Sequence, residues 1–100
     1  TGRRIFDAVV TGGARAAGRD TGEIRVGKWA DLLAVDDRSI HAEGLQGDTA
    51  LDAWIFAGDD RMVTDVWSAG RHMVRDGQHI HCAGIIQAYR TTMQNLRSDL

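Results

Sequence analysis

A chain of 100 residues has single-domain length and would bury only about two thirds of its unfolded surface, so any core it forms alone is modest. A formal net charge of −2, with 26% charged residues and Lys and Arg scattered along the chain, leaves no basic stripe to follow phosphates and argues against nucleic acid. No apolar run approaches the ~20 residues that span a bilayer, which argues against a membrane, and the lone Cys82 has no partner for an internal disulfide and fits a reducing, cytoplasmic compartment.

There is no initiating Met, and Thr1-Gly2 runs straight into a helical pattern, so the sequence is expected to begin inside a longer polypeptide. From Arg3 to Ala17, Ile5, Val9 and Ala16 recur at helical spacing with Phe6, Val10 and Ala17 beside them, which predicts a helix with Gly18 as its stop. Gly12-Gly13 costs that helix roughly 1 kcal/mol per glycine relative to alanine, so the pair is expected to admit another backbone at close range. Gly22 to Val26 reads as a short strand, Gly27-Lys28 as a turn and Ala30 to Val35 as a buried strand. The polar stretch from Asp36 to Gly47 reads as a surface loop.

A second helix is expected from an N-cap at Asp48 or Thr49, carrying Leu51, Trp54 and Ile55 inward to a stop at Gly58, with Asp52 in its first turn. From Met62 to Ser68, Val63, Asp65 and Trp67 alternate with Thr64, Val66 and Ser68. The tight turn Ala69-Gly70 then leads into His72 to Arg75, a β-hairpin. Asp76-Gly77 is a second turn, and Gln78 to His81 adds a short edge strand. From Ala83 to Leu100, Ile86, Tyr89, Met93, Leu96 and Leu100 form one narrow apolar stripe on a third helix, which must dock on something. Two heptads are too few to argue a coiled coil, so docking on a larger body is preferred to a helix-mediated homodimer, which stays open as a second arrangement.

Few residues suggest chemistry. His79 and His81, two apart on a strand, project from one face and could share a metal, but a catalytic zinc needs a third protein ligand, and His41 and His72 lie in a loop and a hairpin without ligand spacing. The pair therefore reads as a polar edge, with adventitious zinc or nickel binding as the sharper alternative. Asp36-Asp37 and Asp59-Asp60 sit at element ends and read as turn and capping residues instead of acid/base pairs or a magnesium site. No glycine pattern completes a phosphate loop, Cys82 lacks a Cys-His setting for a nucleophile, and Trp29, Trp54 and Trp67 read as core or interface anchors.

The run Gly22-Glu-Ile-Arg-Val-Gly-Lys-Trp-Ala-Asp-Leu32, a G-x-I-x-x-G-x-x-A-D-L motif, together with the hairpin Asp65 to Gly77, resembles the segment that follows the barrel in amidohydrolase-superfamily enzymes. Within that superfamily, Phe6 to Gly18, Leu51 to Arg61 and Val66 to His79 are most similar to the formimidoylglutamate deiminase family. The resemblance implies an α+β fragment: β-sandwich strands of a composite domain with flanking helices, the after-barrel part of a metal-dependent (β/α)8 hydrolase. On that reading residues 1–18 are the last barrel-associated helix, 19–80 the C-terminal part of the composite β-sandwich with one inserted helix, and 81–100 a docking helix. It further implies a parent enzyme that uses zinc to hydrolyse N-formimino-L-glutamate to N-formyl-L-glutamate and ammonia in histidine degradation. The zinc ligands and catalytic residues of that family belong to the barrel, so no residue of this chain is expected to be catalytic, cofactor-binding or metal-ligating, and the principal partner is the barrel of the same polypeptide. Another deaminase or chlorohydrolase of the superfamily, or a stand-alone β-rich interaction domain, is the alternative.

Overall fold

The computed structural model describes residues 1–36 and 46–100, so His41, Asp37 and most of the expected Asp36 to Gly47 loop lie outside the described residues. The first helix, α1 (Gly2–Ala17), ends as its sequence predicts. Gly18 adopts φ 68°, the N–H of Arg19 donates to the carbonyl of Ala14 and that of Gly18 to Arg15, closing a Schellman motif that turns the chain out of the helix. No described residue beyond the helix's own backbone approaches Gly12 or Gly13 within 4 Å of where a Cβ would stand, so the close backbone contact expected there is not made by the described residues.

The strand expected from Gly22 to Val26 does not form. Gly22 and Gly27 take φ of 98° and 91°, the stretch folds into bends and a turn, and Ile24 and Val26 are 91% and 100% exposed. A strand exists only as half of a ladder, and no described strand lies alongside these residues to complete one. The first paired strand is β1 (Leu32–Val35), two residues shorter than expected and half-exposed instead of buried, with Leu33 at 48%.

Helix α2 (Asp48–Ala57) begins from Gly47, not from a side-chain cap at Asp48 or Thr49. It stops at Gly58, where a Cβ would collide with the sulfur of Met62 and meet the Trp54 carbonyl at 3.0 Å, so close packing is what requires glycine there. Asp52 does more than sit near the helix start: its Oδ1 accepts the N–H of Gly2 at 2.8 Å and ties the first turn of α1 to α2. Beside that bond Arg3 reaches Asp48 at 3.1 Å, and the Phe6 and Trp54 rings meet at 6.2 Å.

A 3-10 turn (Asp60–Met62), capped by Asp59 accepting from the N–H of Arg61, leads into β2 (Val63–Ser68), β3 (Arg71–Arg75) and β4 (Gln78–His79). Asp59 is thus the capping residue expected of it. The four strands form one antiparallel sheet in the order β1-β2-β3-β4, and the whole is a small α+β fold. Both hairpin turns place two successive residues at positive φ, Ala69-Gly70 at 52° and 79°, Asp76-Gly77 at 48° and 77°, which is the type I′ geometry that matches strand twist. A bulge at Val66/Trp67 skips Met73, so Val66 pairs with Val74 and Trp67 with His72. Helix α3 (Cys82–Ser98) follows, and no other described element packs extensively along it.

Met62 is the one buried hydrophobic residue among those described. The chain exposes 7891 Å² where a folded monomer of 10.9 kDa exposes about 5,600 Å². Its radius of gyration is 17.5 Å against roughly 13 Å for a compact 100-residue domain. The exposed area therefore exceeds that of a compact monomer of this mass by roughly 2,300 Å².

Candidate functional site

The densest polar constellation is built on Asp31, the acidic residue of the A-D-L motif. Having left α1 through the Schellman turn, the chain places Arg19 so that its Nε and Nη2 meet the two Asp31 carboxylate oxygens at 2.8 and 2.7 Å, a bidentate pair. The same carboxylate accepts the N–H of Ala69 at 2.8 Å. Arg19 lies over the face of Trp29, 4.7 Å from its centroid, and the Gly70 N–H donates to the carbonyl of Ala30. The Arg19 guanidinium first, then the Ala69 N–H, hold the Asp31 carboxyl far below the usual carboxylate range, against the opposing effect of burial. Asp31 in turn raises the pKa of Arg19. Both Asp31 oxygens accept from neighbours in the fold, so the residue clamps the exit from α1, the G-x-I-x-x-G loop and the β2-β3 turn together.

A second polar pair lies on the sheet. His72 Nε2 is 2.7 Å from Asp65 Oδ2, and the His72 ring stacks on Trp67 at 4.5 Å and 11°. Hydrogen bonds from Thr64 and then His72 lower the Asp65 pKa. The bulge creates this arrangement by bringing Trp67 opposite His72.

The two histidines singled out for metal binding are close, with ring centroids 5.5 Å apart, but only His79 is on a strand, while His81 precedes the first turn of α3. The backbone N–H of His81 donates to His79 Nδ1 at 3.0 Å. The neutral His79 imidazole must then carry its proton on Nε2, which leaves neither nitrogen with a free lone pair. No group of three His, Cys, Asp or Glu side chains is placed to hold a metal among the described residues. Calorimetric titration of the chain with Zn²⁺ is expected to show no site tighter than about 1 mM; micromolar binding abolished by His81→Ala would identify the pair as ligands after all.

Two concavities among the described residues are mainly apolar. An open groove of about 390 Å³ between α1, α2 and β1 is lined by Phe6, Leu33, Leu51, Trp54 and Met62. Another, of about 420 Å³, lies between α1 and the sheet beside Val10, Ile24, Leu32, Val66 and Trp67. Trp54 and Trp67 are half-buried along these grooves, Trp54 against Phe6 and Trp67 against His72, while Trp29 is half-exposed under Arg19. The roles of Asp31 and Asp52 were missed in the sequence because their partners lie up to 50 residues away. No helix among the described residues is long and apolar enough to cross a membrane.

The sequence profile of the amidohydrolase family matches residues 3–73. A formimidoylglutamate deiminase of Pseudomonas aeruginosa is 47% identical over 78 residues, which make up 78% of this chain and 17% of that protein. The crystal structure of an amidohydrolase from Brucella melitensis superposes with a TM-score of 0.76 at 36% identity, over 96% of this chain and 21% of that one. The chain spans about a fifth of the length of the proteins it matches.

Proposed function

Since the chain belongs to the amidohydrolase family, we propose that it is the after-barrel part of a zinc-dependent hydrolase that converts N-formimino-L-glutamate to N-formyl-L-glutamate and ammonia in histidine degradation. The observation that carries the reaction is the 47% identity with formimidoylglutamate deiminase. The net chemistry is cleavage of the formimino C–N bond by water, with ammonia leaving and the formyl oxygen coming from the water.

The described residues do not fit a zinc site: no three ligands converge, and His79 is committed to a backbone donor. On this reading zinc and the catalytic residues belong to the barrel of the same polypeptide, and no step of the reaction falls to this chain. Its part is structural. The surplus exposed surface, the two apolar grooves and the unpaired Gly22 to Val26 stretch are what a segment shows when a larger body completes its core and its sheet. The edge of β1 that no described strand pairs, four residues without a charge, supports continuation of the sheet by a strand from elsewhere in that polypeptide, as a composite β-sandwich requires. A cytoplasmic location agrees with the single unpaired thiol.

Ammonia release from N-formimino-L-glutamate tests the reading directly. The polypeptide as its gene encodes it is expected to turn the substrate over, and the isolated 100 residues are expected not to. Turnover by the isolated residues would place catalytic groups in this chain, and an inactive zinc-loaded whole polypeptide would rule out this substrate.

A further inference from the structure

Helix α1 begins without a cap from its own sequence: Thr1 makes no side-chain cap bond, and the first turn holds no acidic residue. The acceptor comes from α2, 50 residues on, where the half-buried Asp52 takes the Gly2 N–H at 2.8 Å and sets a negative charge at the positive end of the α1 dipole. Gly2 is buried, and a Cβ there would run into the Asp52 carboxylate and stand 3.1 Å from the Asp52 Cα, so glycine is what lets the two helices meet. Arg3 on Asp48 and Phe6 on Trp54 continue the contact along both helices.

In a (β/α)8 barrel each strand runs out to the face that carries the active site, and the helix after it starts at that same face. With residues 1–18 as the last barrel helix, the first turn of α1 therefore stands where the final strand-to-helix loop arrives from the active site. We propose that Asp52 is a positioning residue for that loop: by capping and crowding Gly2 it fixes the point at which loop becomes helix, and through the loop it fixes the geometry around the substrate. The inference rests on the barrel reading given above, and it assigns α2 a task beyond covering apolar surface. Apolar packing between Phe6 and Trp54 tolerates small slips along the helix axes, whereas one directional N–H···O bond beside one missing Cβ defines a single offset. That precision matters to rate, because a misplacement of about 1 Å at a reacting centre can cost roughly 100-fold.

Hydrogen exchange and steady-state kinetics on the zinc-loaded polypeptide as its gene encodes it test the assignment. Asp52→Ala should speed exchange in the first turn of α1 and in the residues that precede Thr1 there, with the β2-β3 hairpin unchanged. At full zinc content and well below the melting midpoint, the same variant should lower kcat for ammonia release from N-formimino-L-glutamate by about tenfold. Asp52→Asn keeps an acceptor oxygen in the same place and should recover most of both effects. Gly2→Ala disturbs the contact from the other side without touching the carboxylate, so it should mimic Asp52→Ala, and the double variant should be little worse than either alone.

A lowered melting midpoint with kcat unchanged, an asparagine variant no better than the alanine one, or exchange before Thr1 unaltered in both the Asp52 and the Gly2 variants would each overturn the proposal. A parent polypeptide that releases no ammonia from this substrate would remove the reaction proposed above, and exchange, which needs no substrate, would still decide whether Asp52 holds the loop.

Discussion

Met62→Ala is expected to lower the unfolding free energy by about 3 kcal/mol, within the range found when a large buried side chain is cut to alanine. At 5% exposure Met62 is the most deeply placed hydrophobic residue described, and it stands where α2, the 3-10 turn and β2 converge. Its sulfur fills the space that Gly58 leaves, its side chain helps line the groove with Trp54 and Leu33, and its carbonyl accepts the Asp36 N–H at 2.7 Å. That last bond holds the end of β1 beside the start of β2, so the vacated volume cannot collapse without disturbing the sheet. Urea unfolding followed by tryptophan fluorescence reads the loss through Trp54. Met62→Leu, which nearly conserves volume, should cost less than about 1.5 kcal/mol. Equal values for the two variants would mean that no packed core surrounds this residue. For a small domain whose stability lies near the low end of about 5–15 kcal/mol, the alanine variant should unfold over a large part of the accessible range.

Features set by neighbouring residues were legible in the sequence. Gly18 after a helical pattern, Ala69-Gly70 between two alternating runs, and Asp76-Gly77 beyond them specify a helix stop and two tight turns through local backbone sterics, and all three are formed. Features that need a distant partner were not legible. The alternation at Gly22 to Val26 is compatible with a strand, but strand formation depends on a neighbour, and the positive φ at both flanking glycines shows the backbone turning instead. Asp31 and Asp52 look like ordinary acidic residues until folding brings Ala69 to one and Gly2 to the other. The narrow stripe of α3 was visible at once, and the structure adds that no described element covers it. At His79 and His81 the spacing suggested a shared face, while the hydrogen bond between them gave His79 a different task.

Loss of Asp31 is the other large effect, and its pH dependence follows from the clamp. Ala69 is held at φ 52°, a left-handed conformation that costs a residue with a Cβ roughly 1–2 kcal/mol, and the Asp31 carboxylate accepts the N–H that this conformation presents. Asp31→Ala removes that acceptor and leaves Arg19 without its bidentate partner, so the β2-β3 turn and the exit from α1 should loosen together, lowering the melting midpoint by several degrees. Adding Ala69→Gly should recover part of the loss, because glycine adopts the turn without the Cβ penalty; if it recovers nothing, Asp31 does not act through this turn. Because the folded carboxyl is held below its unfolded value of about 3.9, the unfolded chain binds the proton first as pH falls. The clamp's contribution is therefore complete at neutral pH, begins to fade as pH drops below about 4, and is gone only below the folded pKa. Asp65, lowered by Thr64 and His72, adds a slope of the same sign. Melting midpoints measured from pH 7 down to pH 2 should fall steeply for the parent sequence and less steeply for Asp31→Asn, which starts lower and has one fewer carboxylate to protonate; parallel curves would show that the clamp does not couple protonation to folding.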